Sequence, residues 1–169
     1  MLLTQPIRDE HRELLPHVES LRTAAEVVSD DSSSRPQVQD VLDRALDFLT
    51  GHLIPHATAE DEVLYPAVEQ VMGAPGATRT MRRDHVEVVA FTEDVQRARD
   101  GLGEPVLPGQ RRELEQLLYG LYAVVRLHFA KEEEVYLPVL DEGLTADTAR
   151  ELFHRMHEAA ERAGGLQHA

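Results

Sequence analysis

Over most of this chain, apolar residues return at spacings alternating between four and three, the pattern of helices that bury one face against their neighbours. In the first stretch Ile7, His11, Leu14, Val18, Leu21, Ala25 and Val28 follow it. In the third, Met81, His85, Val88, Thr92 and Val95 do the same, and in the fourth Leu121, Val125, His128, Glu132, Val135 and Val139. The second runs Val38, Leu42, Ala45, Leu49, His52 and His56, then slips by one residue to Glu60, Val63 and Ala67. Strand-like alternation bounded by turns does not occur.

Breaks fall at Ser29–Pro36, Met72–Thr78, Asp100–Gly109 and Asp141–Leu144, all rich in turn-forming residues. Four long helices with such connections predict an all-α fold, an antiparallel up-down-up-down four-helix bundle spanning about 4–141. A short additional C-terminal helix is expected over about 145–163, packed outside the bundle, the whole of 1–169 forming a single domain. Pro66 and Pro138 should kink their helices alike, and Pro55 should break the second helix just before His56.

The chain also repeats itself. His56-Ala-Thr-Ala-Glu60-Asp-Glu-Val-Leu-Tyr-Pro66 is matched by His128-Phe-Ala-Lys-Glu132-Glu-Glu-Val-Tyr-Leu-Pro138, 72 residues later. Asp-Glu-His11 is matched by Arg-Asp-His85, 74 residues later. A histidine on a helical seam is by itself usually a hydrogen-bonded core residue. Here four histidines and two carboxylates recur in matched halves, and they interrupt apolar seams. Two buried, unpaired carboxylates would cost several kcal/mol each. Lys or Arg does not share their seams, so metal cations are the simplest counter-charge. Residues i and i+4 stack about 6 Å apart along a helix, so His56 with Glu60 and His128 with Glu132 can each face one metal region. His11 and His85 join them from the other two helices. The candidate ligands are therefore His11, His56, Glu60, His85, His128 and Glu132. Imidazole with carboxylate suits iron, and also manganese or zinc.

Charge and composition narrow the partners. The formal net charge is −14, from 17 basic and 31 acidic residues. That argues against nucleic acid and against an anionic membrane surface, both of which require a basic face. With no cysteine there is no disulfide, thiolate site or iron–sulfur cluster. The N-terminus lacks the pattern of a signal peptide, and a cytoplasmic protein is expected.

At these residues the chain resembles the hemerythrin-like proteins, also called the HHE cation-binding family, over roughly Ile7 to Asp141. The family pattern maps onto His11, His56 with Glu60, His85, and His128 with Glu132. The resemblance implies a non-haem di-iron centre in a four-helix bundle: two iron ions, oxo- or hydroxo-bridged, meeting dioxygen or peroxide. Two departures stand out. Oxygen-carrying members have a second histidine four residues after the third-helix one, where this chain has Val89. They also space the fourth-helix acid five residues from its histidine, so that Glu133 competes with Glu132, which the internal repeat favours. A site short of one nitrogen ligand points to peroxide chemistry, as in a peroxide-decomposing oxidoreductase, or to a non-enzymatic oxygen, redox or iron sensor, rather than to reversible oxygen carriage. The oligomeric state is not encoded legibly.

Other polar residues have narrower readings. His52 lies on the second seam with no counterpart in the other half, as a supporting group, a further ligand or a plain buried histidine. His17 reads as a boundary residue. Tyr65 and Tyr136 read as core packing, with a hydrogen bond to a bridging carboxylate or direct ligation as the functional alternative. His154 and His157 should share a wet face with Glu158 and Glu161.

Overall fold

The computed structural model describes residues 2–166, which form five helices and no strand. Helix α1 is Gln5–Ser29. Helix α2 runs without interruption from Arg35–Phe48 through Leu49–Leu53, Ile54–Ala59 and Glu60–Leu64 to Tyr65–Met72. Helix α3 is Arg79–Asp100, and α4 continues from Pro108–Lys131 through Glu132–Tyr136 to Leu137–Gly143. Helix α5, Ala146–Leu166, is longer than the sequence suggests and packs on the central part of α2.

The ends of α2 follow from its sequence. Ser34 and Gln37 form a capping box at its start, satisfying backbone N–H groups that the first turn leaves free. Gly73, at φ 61°, adopts the left-handed conformation that terminates it.

One of the three proline expectations is overturned, and the other two prolines behave alike. Pro55 does not break α2. Ahead of each of Pro55, Pro66 and Pro138 the helix widens to a single π turn, with N–H of Ile54, Tyr65 and Leu137 bonded to the carbonyls of Leu49, Glu60 and Glu132. Proline has no N–H and its ring crowds the carbonyl four residues back; one extra residue in the turn accommodates both. Each π turn also moves the seam on by a residue. Leu53 therefore faces inward where the unbroken pattern put His52, which is exposed. Beyond Glu132, Leu137 and Leu140 are buried, whereas Val135 is half exposed and Val139 only partly covered.

The interior has two apolar clusters. One gathers Leu14 to Val28 with Val38 to Leu53, Val88, Val95, and Leu114 to Phe129. The other gathers Ile7, Ala59 to Val68, Met81, Leu137, Leu140 and three residues of α5. His11, His56, His85 and His128 each fall between a residue of the first cluster and one of the second along their own helices. The polar residues thus form one layer across the core. Among the described residues no helix is long and apolar enough to cross a membrane.

Candidate metal centre

All six sequence-derived candidates are in this layer, and all are buried. Glu60 is central. Its Oε1 lies 3.0 Å from His56 Nε2 and 3.7 Å from His11 Nε2, and its Oε2 lies 3.2 Å from His85 Nε2 and 3.7 Å from His128 Nε2. Two groups of three result, His11–His56–Glu60 and Glu60–His85–His128, each with donor atoms close enough to surround one ion. Glu132 spans the layer from the other side, 3.3 Å from His11 Nε2 and 3.6 Å from His128 Nε2.

Every imidazole presents Nε2 inward and Nδ1 to a carboxylate. His11 Nδ1 meets Glu133 at 2.9 Å, His56 Nδ1 meets Glu10 at 2.9 Å, and His128 Nδ1 meets Asp84 at 3.1 Å. His85 Nδ1 stands 3.1 Å from Asp61 Oδ1 in poorer alignment. These four acids obey the repeat. Each sits directly beside a candidate ligand: Glu10 and Asp84 precede His11 and His85, and Asp61 and Glu133 follow Glu60 and Glu132. A carboxylate on Nδ1 fixes the ring's orientation and leaves the Nε2 lone pair free for a cation. Glu133, exposed at its outer edge, is thereby separated in role from the fully buried Glu132.

The fit to a cation can be judged from what the layer leaves unpaired. His11 Nε2, His56 Nε2, both oxygens of Glu60 and Glu132 Oε2 are buried without a hydrogen-bond partner. Each such atom costs about 1–3 kcal/mol unless something satisfies it. Their convergence, with no thiolate available, suits a borderline cation held by nitrogen and oxygen.

Tyr65 belongs to the layer too, more firmly than its sequence position indicates. Its fully buried hydroxyl donates to Glu132 Oε1 at 2.8 Å and lies 3.1 Å from His128 Nε2 and 3.4 Å from His85 Nε2. Burial and the charges of Glu60 and Glu132 hold the phenol well above its ordinary pKa, so it keeps its proton. Tyr136, by contrast, donates to the carbonyl of Ala77, away from the layer. Val89 is exposed, and the neighbouring Val88 lines the small space beside Glu60. His17 is exposed, stacked on Phe48, and His154 and His157 pair with Glu158 and Glu161 on the surface.

Without metal, protons supply the counter-charge. Burial alone pushes an imidazole's pKa down, but the carboxylates around His11 and His85 outweigh it and hold both at about 9. His56 and His128 are raised for the same reason. Burial would raise Glu60, yet the surrounding imidazoles keep it well below the usual carboxylate range. A raised histidine stabilises the fold fully below its ordinary 6.5 and loses that contribution as pH climbs through about 9. The chelator-stripped protein is therefore expected to melt at progressively lower temperature from pH 6.5 to 9, measured by circular dichroism. A flat profile across that window would contradict the assignment of these protons.

This chain belongs to the hemerythrin family. The Hemerythrin HHE cation binding domain matches residues 2–140, which take in all of α1 to α3 and nearly all of α4, but not α5. Searches of curated proteins and of solved structures returned no match.

Proposed function

We propose that this protein is a non-haem di-iron protein that binds or reacts with dioxygen or peroxide. The observation that carries the reading is the pair of three-residue donor groups sharing Glu60, all buried, in which His11 Nε2, His56 Nε2 and both Glu60 oxygens have no hydrogen-bond partner. His11 and His56 would hold one ion and His85 and His128 the other, with Glu60 and Glu132 bridging. Bound iron supplies one-electron redox chemistry and open coordination positions for a small oxidant. The chain's own part is to orient and to exclude water. The four outer carboxylates hold the imidazoles, and Tyr65 directs a hydrogen bond to Glu132. Leu53, Val88, Val125 and Phe129 line an apolar cavity of about 10 Å³ against Glu60, His85 and His128, room for one molecule the size of water.

The up-down-up-down topology belongs to the same reading. Thr4 at the start of α1 bonds Asp141 near the end of α4, and Val28 at the other end of α1 accepts from Arg111 near the start of α4. Helices running opposite ways bring four ligand helices to one level. We also propose that residues 1–169 make one domain and act in the cytoplasm.

Purified protein tests the function. Metal analysis should give about two irons per chain, with near-ultraviolet absorption from the bridged pair, and oxygen evolution on adding peroxide would mark enzymatic turnover. His56→Ala or His128→Ala is expected to reduce iron content sharply. Stoichiometric iron in either variant, or a colourless zinc protein, would overturn the assignment.

A further inference from the structure

The two halves of the centre differ in how their outer carboxylates are balanced. Three of the four carry a cation as well as an imidazole: Glu133 is paired with Arg8, Asp61 with Arg82 at 3.4 Å, and Asp84 with Lys131. Arg8 and Arg82 are related by the same 74-residue offset as His11 and His85. Lys131 has no such relative, because Ala59 stands 72 residues before it. Among the described residues Glu10 is therefore left with His56 alone. It is also the most exposed of the four, at 45% against 24–35% for the others.

Two grooves reach a buried histidine of the layer, and their charge is opposite. One, of about 420 Å³ between α1 and α4, leads to His11 past Arg8, Arg12 and Arg126, against the single acid Glu133, which Arg8 pairs. The other, of about 370 Å³ between α1 and α5, is lined by Asp9, Glu10, Glu13, Phe153 and Met156, with His56 among its walls. His56 is 3% exposed and its Nε2 has no hydrogen-bond partner. The same ring thus touches the groove and the inner donor set. One wall of this groove is α5, which lies beyond the segment matched by the family.

We propose that the α1–α5 groove is the path by which divalent cations reach the centre, drawn along Glu13 and Glu10 to His56. Elsewhere a doubly charged ion approaching the layer meets Arg8, Arg82 or Lys131. Here Arg12 is paired with Asp9, but Glu10 and Glu13 face the opening with no Arg or Lys partner among the described residues. Like charges at a mouth slow arrival and opposite charges speed it, an effect that salt screens. The proposal rests on the metal-binding reading above.

Cobalt(II) uptake by the chelator-stripped full chain tests it, followed by stopped-flow visible absorption, with final content from metal analysis. Glu13 and Glu113 are both exposed and form no ion pair among the described residues, so Glu13→Lys and Glu113→Lys change the charge equally without disturbing contacts. Glu113 lies on α4 near Arg111, at the far end of the bundle. Glu13→Lys is expected to slow uptake about tenfold at low salt and to flatten its salt dependence, leaving the final content unchanged. Glu113→Lys should stay close to wild type. Equal rates in the two variants would overturn the path while leaving the metal site standing. A wild-type chain that takes up no cobalt would overturn both.

Discussion

If the centre is di-iron as proposed, Glu60→Ala is expected to remove both ions, lowering affinity by about a hundredfold or more at each position and leaving purified protein with almost no iron. Losing even an outer partner of a ligand typically costs 10–100-fold, and a shared inner donor should cost at least as much. Glu60 is the one residue common to both donor groups. One oxygen faces the His11–His56 pair and the other faces His85–His128, so a single truncation strips an oxygen from each donor group. Glu132→Ala should be milder. Glu132 touches one histidine of each pair, and it belongs to neither three-residue group. Metal content and a chelator-competition titration on the two variants check the difference. Glu60→Ala protein that still carries two irons, or a deeper loss from Glu132→Ala, would show that the bridging roles are assigned the wrong way round. The change should also blunt the pH dependence of the stripped protein, because Glu60 is among the carboxylates holding each of the four imidazoles protonated.

The inner donors were legible because they violate a pattern. His11, His85, His128 and Glu132 stand where a helical seam requires apolar residues, and they do so twice, in register. What seam reading missed falls into two physical kinds. A π turn adds a residue that no 3.6-residue periodicity anticipates, which is why His52 and Val135 face outward and Leu53 and Leu137 inward. The prolines at 55, 66 and 138 were the available signal, since each removes an N–H that a regular turn would use. The second kind is contact between helices. Glu10, Asp61 and Asp84 lie off the apolar seams of their own helices and Glu133 competed with Glu132 for a ligand role, yet each reaches the outer nitrogen of a histidine on another helix. Their repeat-related positions, and the matching Arg8 and Arg82, carried that information without the geometry to interpret it. Tyr65 was ambiguous because Leu137, its counterpart in the other half, has no hydroxyl.

Arg111→Ala is expected to destabilise the fold by about 3–5 kcal/mol without changing metal stoichiometry, because it deprives three carbonyls of their donor, at about 1–3 kcal/mol for each that stays buried. Arg111 is 7% exposed and continues the α4 seam one step before Leu114. Its guanidinium donates to the carbonyls of Val28 at 2.9 Å, Asp30 at 3.0 Å and Ser33 at 2.7 Å. These carbonyls lie at the end of α1 and in the connection to α2, where helix geometry leaves acceptors without partners. A cation there also meets the negative end of the α1 dipole. Alanine would leave three acceptors to find new partners and open a void beside Leu114 and Leu118. For a chain of this size the penalty corresponds to a melting temperature lower by on the order of 10 °C. Arg111→Lys keeps the charge but not the fork that reaches several carbonyls together, and should recover only part of the loss. Calorimetry on the iron-loaded variants, with metal analysis alongside, separates this from a defect at the centre. A melting temperature within about 2 °C of wild type for Arg111→Ala, less than the shift expected from 1 kcal/mol, would mean that the α1–α2 connection holds itself.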